Sequence, residues 1–439
     1  MMKTLLENAR VIDPEHDLNG IYHILIDGDR IKDINQEVKA LLPEAEGEVN
    51  RIDLENKIIL PGLIDMHTHL REPGFEEKET IKTGTEAAAA GGLTTIATMA
   101  NTDPVADNPA TVEFILSRSR SAPVRVLPIG SITKNMEGKT LSEIGFLKEA
   151  GVKALSDDGK PVMNSEIMRR AMEYARGFQL PIIEHCEDLN LSSEGVMNEG
   201  YTSTILGLKP IPAEAEEIMI SRNLILAEMT GVHLHIAHVS TRRGLELITE
   251  ARQRGIKVSA EVTPHHLVLT EEAVRGYDTN TKVNPPLRSE SDRQALCQGL
   301  AEGRIDVIAS DHAPHTFEDK MGEYDYAEFG ISGLETELSL IYDRLIKPEL
   351  LSWEQLVTAM VYNPASILGL DRPGICSGAG ADLTVFDPLK KWTVDPEAFK
   401  SRGKNTPFAG AGLIGKPLLT MVSGNIVYDD RGDQGEIIY

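Results

Sequence analysis

The 439-residue sequence predicts an α/β fold, a (β/α)8 TIM barrel joined to a small discontinuous β-sandwich domain drawn from both termini. Three observations predict it. Eight short apolar runs recur through the middle of the chain with helical stretches between most of them, the pattern of a parallel sheet with helical crossovers. Each end of the chain instead alternates apolar and polar residues in short segments separated by turn residues. Hydrophobic residues at 41% and charged residues at 26% are ordinary for a chain that buries a sizeable core, which excludes a disordered protein.

At the N-terminus, residues 4–12 alternate as a strand, and 23–26 lead through the turn Asp27-Gly28-Asp29 into a second strand-like stretch, 30–34. Residues 381–387 and 419–428 repeat the style at the other end. Neither piece is long enough to make a comfortable core alone, so the two are paired as one β domain. The boundaries read as 1–57 for its N-terminal part, 58–367 for the barrel and 368–439 for its C-terminal part. The eight runs within the barrel are 62–66, 93–99, 124–129, 152–155, 180–184, 233–237, 257–262 and 305–309, with helices such as 164–176, 214–229 and 242–254 between them. A doubly wound open sheet would show the same periodicity.

Lys and Arg sum to 44 and Asp and Glu to 68, a formal charge of 44 − 68 = −24. Such a surface repels phosphate backbones, which argues against nucleic acid or an anionic membrane as partner. No apolar run reaches the ~18–20 residues that span a bilayer, and the first residues carry charges where a signal peptide needs its apolar region. Cys186, Cys297 and Cys376 are too few and too scattered for a disulfide framework. A cytoplasmic protein is expected.

In such a barrel the chemistry sits where strands end and βα loops begin. The first run ends in Asp65-Met66-His67-Thr68-His69-Leu70-Arg71, and with a strand's period of two His67 and His69 point to the same side. The fourth run ends in Ser156-Asp157-Asp158-Gly159, the fifth in His185, the sixth in His238, and the eighth in Ser310-Asp311-His312-Ala313-Pro314-His315. Histidines and carboxylates at the ends of five strands point to a metal site, and nitrogen and oxygen ligands without a positioned thiolate suit Zn2+, with Mn2+, Co2+ or Fe2+ as competitors. Six donors exceed one tetrahedral ion, so a two-metal centre bridged by a carboxylate, with water activated as the nucleophile, is the natural arrangement. Cys186 reads as core packing.

These motifs, together with Met-Ala-Asn-Thr at 99–102, Glu-His-Cys-Glu-Asp at 184–188, Ala-His-Val-Ser at 237–240, Glu-Val-Thr-Pro-His-His-Leu at 261–267 and Lys-Val-Asn-Pro-Pro-Leu-Arg at 282–288, resemble the dihydroorotases of the amidohydrolase superfamily, in their type I bacterial branch, over nearly the whole chain. The resemblance implies the reversible cyclisation of N-carbamoyl-L-aspartate to (S)-dihydroorotate in de novo pyrimidine biosynthesis. It implies His67, His69 and Asp311 as ligands of one metal, His185 and His238 of the other, and Asp158 as the bridge, with one or two zinc ions per chain. Many superfamily members bridge with a carbamylated lysine instead, so Lys153 on the fourth run and the neighbouring Asp157 stay as alternatives. Asp311 would also act as general base and then general acid.

The substrate is an anion on a strongly acidic protein, so the pocket must supply donors. Arg71 is the obvious carboxylate clamp, because a guanidinium gives two parallel charge-assisted hydrogen bonds. The resemblance adds Asn101 and His315 to the carboxylate site, counts His69 among the substrate contacts, matches Asn284 to a residue on the ring, and matches Phe329 and Gly330 to positions whose backbone reaches it. His265 and His266 read as structural or supporting; His16, His23, His233, His235 and His312 as surface or packing. Hydantoinases, dihydropyrimidinases and allantoinases would share fold and mechanism, and the carboxylate clamp is what argues against them. A non-catalytic relative kept as a partner of aspartate transcarbamoylase is a further alternative, although every expected ligand is present. A homodimer and a complex with that transcarbamoylase are the partners the resemblance suggests beyond the small-molecule substrate.

Overall fold

Strand β1 (Lys3–Asp13) pairs antiparallel with β2 (Leu18–Asp27), and β2 with β3 (Arg30–Asn35), in a computed structural model that describes residues 3–41 and 49–432. On its other edge β1 takes two parallel partners in turn, β4 (Val49–Asp53) along Lys3–Glu7 and β5 (Ile58–Pro61) at Arg10 and Val11. The change of partner falls at a bulge where Asn8 adopts φ +61°, a left-handed conformation that asparagine tolerates.

Seven parallel strands then form the barrel wall: β6 (Leu63–Thr68), β7 (Leu93–Thr98), β8 (Arg125–Pro128), β9 (Ile182–Glu184), and, after a short parallel pair β10 (Met197–Asn198) and β11 (Pro210–Ile211), β12 (Leu234–Ile236), β13 (Val258–Val262) and β14 (Val307–Ile308). The eighth position belongs to the run 152–155, which narrows to one residue: Leu155 bridges Gly130 on one side and Ile182 on the other. Its neighbour Val152 is still engaged with the preceding helix through Leu147 O, which leaves little chain to form a ladder. A parallel bridge from Thr68 to His312 closes the ring, so the sheet is not open. Met66, Ala97, Ile129, Ala154, Ile183, Ala237 and Val307 meet in one apolar cluster with Ile367 and Leu368, a set drawn from strands all around the ring and therefore its interior.

The later described residues form β15 (Leu383–Thr393), β16 (Gly412–Val422) and β17 (Asn425–Asp429), and β15 pairs with β5 to complete a sheet of eight strands among the described residues. Leu6, Ile24, Ile31, Ile52, Ile59, Leu383 and Leu419, from strands across that sheet, share one core, so the sheet curls upon itself as the terminal β-sandwich.

Two placements differ from the sequence reading. Residues 58–61, assigned there to the barrel, pair within the terminal sheet. The run Ile58–Ile64 is almost continuously apolar, and what divides it is Gly62, where a Cβ would lie 2.3 Å from Thr94 Oγ1. The chain between β15 and β16, read as part of the β domain, instead reaches over the barrel, where Asn405 bonds to Ala313, His315, Gly330 and Ser332.

Candidate active site

The strand ends bring His67, His69, Asp158, His185, His238 and Asp311 into one buried cluster. Hydrogen bonds set which nitrogen of each ring is left for a ligand. His67 Nδ1 meets Glu261 Oε1 at 2.5 Å, and its Nε2 lies 3.4 Å from Asp158 and 3.5 Å from Asp311. His69 Nδ1 bonds Asn101 Oδ1 at 2.9 Å, turning Nε2 to Asp311 at 3.2 Å and Asp158 at 3.4 Å. His185 Nε2 bonds Glu187 at 2.9 Å, leaving Nδ1 beside His238 Nε2 (2.9 Å) and 3.7 Å from Asp158. In each case an acceptor fixes the second nitrogen, the arrangement found around metal-ligating histidines.

The cluster fits divalent metal. Among the described residues, His67 Nε2 and Asp158 Oδ1 are buried without a hydrogen-bond partner, an expensive state that an ion would relieve. Donor atoms of His67, Asp158 and His238 lie within 4.8 Å of one another, as do those of His67, His69 and Asp311. His67 is common to the two groups, so they are adjacent.

Burial opposes charge throughout, and the pairing overrides it. Burial disfavours protonation of His67, yet the carboxylates of Glu261, Asp158 and Asp311 hold its pKa well above the usual histidine value. His185 rises to about 9 for the same reason, through Glu187, which falls to about 2. Asp158 and Asp311 stay ionised beside the imidazoles despite complete burial.

Above the cluster is a cavity of about 220 Å3 lined by His69, Arg71, Asn101, Asn284, His315 and Phe329 among others. With Asn101 Oδ1 engaged by His69, the Asn101 amide nitrogen remains as donor. Arg71, at φ +59°, bonds Pro314 O at 3.3 Å and touches His315 Nε2 at 3.3 Å. His315 faces Phe329 O at 2.8 Å and Lys78 at 3.4 Å, so both its ring nitrogens are taken; burial and then Arg71 hold it well below the usual histidine pKa, uncharged. Asn284 donates to Glu187 at 2.9 Å. The Gly330 amide, expected to reach the ring, already donates to Lys282 O at 2.9 Å; what Gly330 contributes is space, since at φ +146° a Cβ would sit 2.6 Å from Ala313 O.

The alternative bridges lie elsewhere. Asp157 accepts from the Ile132 and Thr133 amides at 2.7 and 3.1 Å and pins that loop. Lys153 opens onto the opposite end of the barrel. Cys186 is buried in the core, and His265, His266 and His312 are buried in packed surroundings. His235, read as packing, instead supports the site: its Nε2 meets Glu261 Oε2 at 3.0 Å. Glu261, Glu187 and Asn405 were not singled out, although the first two stand in the motifs around the ligands. Lys320 also escaped notice; it is buried and donates to Thr279 O, Lys282 O and Glu328 O, tying the loop that carries Phe329 to the one that carries Asn284.

A closed barrel with imidazoles and carboxylates buried at the carboxyl ends of its strands defines a hydrolase of the amidohydrolase type. A family model described as dihydro-orotase-like matches residues 56–244. The dihydroorotase of Syntrophus aciditrophicus is 52% identical over 430 residues, 98% of this chain and 100% of that one, and that of Pelotomaculum thermopropionicum is 51% identical over 98% and 99%. Among solved structures, the L-hydantoinase (dihydropyrimidinase) of Arthrobacter aurescens is 26% identical with a TM-score of 0.87, covering 100% of this chain and 98% of that one. The dihydropyrimidinase of Brevibacillus agri, at 23% identity and a TM-score of 0.84 over 98% and 96%, shares the fold. The chain belongs to the dihydroorotase family, and it is a cyclic amide hydrolase; the hydantoinase reading is not favoured. No helix among the described residues is long and apolar enough to cross a membrane.

Two outcomes follow from these contacts. Glu261→Gln, which removes the charge behind His67, is expected to weaken metal binding by about 10–100-fold with the fold retained, read by competition with a chromophoric chelator. Burial, and then Lys282, lower the Lys320 pKa to about 7 from 10.5, so between those pH values the unfolded chain binds the extra proton and stability rises with pH. In urea titrations at both ends of that window, wild type should gain stability relative to Lys320→Met as pH rises; parallel behaviour of the two proteins would show that Lys320 does not titrate there.

Proposed function

We propose that the chain interconverts N-carbamoyl-L-aspartate and (S)-dihydroorotate for pyrimidine biosynthesis, with one or two zinc ions held by His67, His69, Asp158, His185, His238 and Asp311. The observation that carries this is the pair of donor groups sharing His67, with orphaned buried atoms on two of their members, His67 and Asp158. Nitrogen and oxygen donors without a thiolate favour zinc. Divalent ions bound there supply Lewis acidity, which lowers the pKa of water and polarises the scissile carbonyl.

Asp311 serves as the proton carrier. Its Oδ1 lies 3.2 Å from His69 Nε2 at the cavity wall, and the surrounding imidazoles keep it a carboxylate able to accept a proton. As the water oxygen bonds to the ring carbonyl carbon, its proton passes to Asp311; as the carbon–nitrogen bond breaks, Asp311 returns that proton to the ring nitrogen. Cyclisation runs the same steps backwards. Arg71 and the Asn101 amide hold the substrate carboxylate beside His315, while Asn284, Phe329 and Gly330 shape the ring pocket. His69, on the wall between the two, contacts both.

A homodimer extends the proposal: Ile218, Ile225 and Met229 stand exposed at helical spacing along the helix Glu214–Thr230. A complex with aspartate transcarbamoylase is proposed from the family resemblance alone.

The direct test is turnover of dihydroorotate beside hydantoin and dihydrouracil, with metal quantified in the same sample. Dihydroorotate should be preferred, with one or two zinc ions per chain; preference for an uncharged ring would overturn the carboxylate clamp. Asp311→Asn is expected to lower kcat by about 10²–10⁴-fold while the enzyme still binds dihydroorotate. Arg71→Ala should remove a charge-assisted contact worth about 1.5–3 kcal/mol, roughly 10–150-fold in KM for dihydroorotate, and leave dihydrouracil hydrolysis unchanged.

A further inference from the structure

At the end of the barrel opposite the cluster lies a second concavity of about 420 Å3. Register puts it there. Leu155, Ile182, Leu234 and Val258 are aligned across four neighbouring parallel strand positions. The residues just before them, Lys153, Pro181, His233 and Lys257, therefore crowd one rim, while the residues after them lead to Asp158, His185 and His238 at the other. Lys148 and Arg176 complete the basic wall from the neighbouring helices, and the chain at 366–369, from the last turn of the helix Asn363–Ile367 onward, forms another side.

Its charge runs against that of the whole molecule. The chain carries −24, yet this concavity presents three lysines and an arginine and, among the described residues, is lined by no carboxylate. Lys148, Lys153 and Lys257 make no ion pair among the described residues, whereas the surface lysines Lys82, Lys134, Lys139 and Lys209 each pair with a glutamate. Lys153 is half-buried, which makes an uncompensated ammonium there more costly than on open surface. His233 lies on the same rim, where burial, then His235, Lys257 and Arg252, push it down to about 4. Clefts lined by one sign of charge concentrate ligands of the other.

We propose that this basin binds a small phosphorylated metabolite, with Lys148, Lys153 and Lys257 as point charges and Arg176, whose Nη1 is held by Thr230 O at 2.8 Å, donating from the rest of its guanidinium. A phosphate monoester carries close to two negative charges near neutral pH and suits both kinds of donor. The volume lies within the range of small-molecule sites and is nearly twice that of the catalytic cavity, so it admits a sugar phosphate rather than the bare ion alone. The site is separate from the catalytic cavity and shares no residue with it.

Isothermal titration of the metal-loaded enzyme with ribose 5-phosphate, inorganic phosphate and malonate tests this. Ribose 5-phosphate should bind most tightly and less so as salt rises. The Lys153→Gln/Lys257→Gln double variant should bind it at least about tenfold more weakly, with dihydroorotate turnover unchanged, and Lys153→Arg/Lys257→Arg should restore binding. Equal affinity in wild type and the glutamine variant would place the ligand elsewhere and overturn the proposal. So would malonate binding as tightly as ribose 5-phosphate, or no binding by wild type at millimolar concentration.

Discussion

Glu261 Oε1 lies 2.5 Å from His67 Nδ1 and accepts the His238 amide at 3.2 Å, while Oε2 meets His235 Nε2 at 3.0 Å. One fully buried carboxylate thus ties the barrel's first strand to the loop after its sixth. The contact with His67 commits Nδ1 and turns Nε2 into the cluster; the contact with the His238 amide holds that residue at φ +30°, a backbone strain that would relax without support.

Such an arrangement is costly to assemble, because carboxylates and imidazoles are removed from water together. Three of its carboxylates have an imidazole within hydrogen-bonding range: Glu261 beside His67, Glu187 beside His185, and Asp311 beside His69. Bound metal would replace protons on the imidazoles, so metal affinity and pH are coupled by the same pairs. The cavity above the cluster rests on this base, and its outer wall is held from a distance, by Asn405 from the C-terminal part of the chain and by Lys320 beneath the loop of Phe329.

Much of this was legible in the sequence because it depends on period and position. Alternation puts His67 and His69 on one side of a strand, and apolar runs at barrel spacing place Asp158, His185, His238 and Asp311 at strand ends. The structure brings all six together, His185 through its contacts with His238 and Asp158. What stayed hidden depends on partners distant in the chain. Glu261 and His235 look like ordinary strand residues until β12 and β13 are adjacent. Asn405 lies about 90 residues beyond the loop it holds, in a segment with no periodic signal. The division of 58–64 between two sheets turns on a steric contact at Gly62, and the reduced fourth strand on a helix that ends immediately before it; hydropathy records neither.

Anomalous diffraction at the zinc edge, from crystals of the zinc-loaded chain, tests the central claim most directly. The account predicts one or two peaks within the cluster, bounded by His67 and the carboxylates of Asp158 and Asp311, with Lys153 remote from them. Full zinc loading with no peak beside His67, or with the ion held at the opposite end of the barrel, would contradict it.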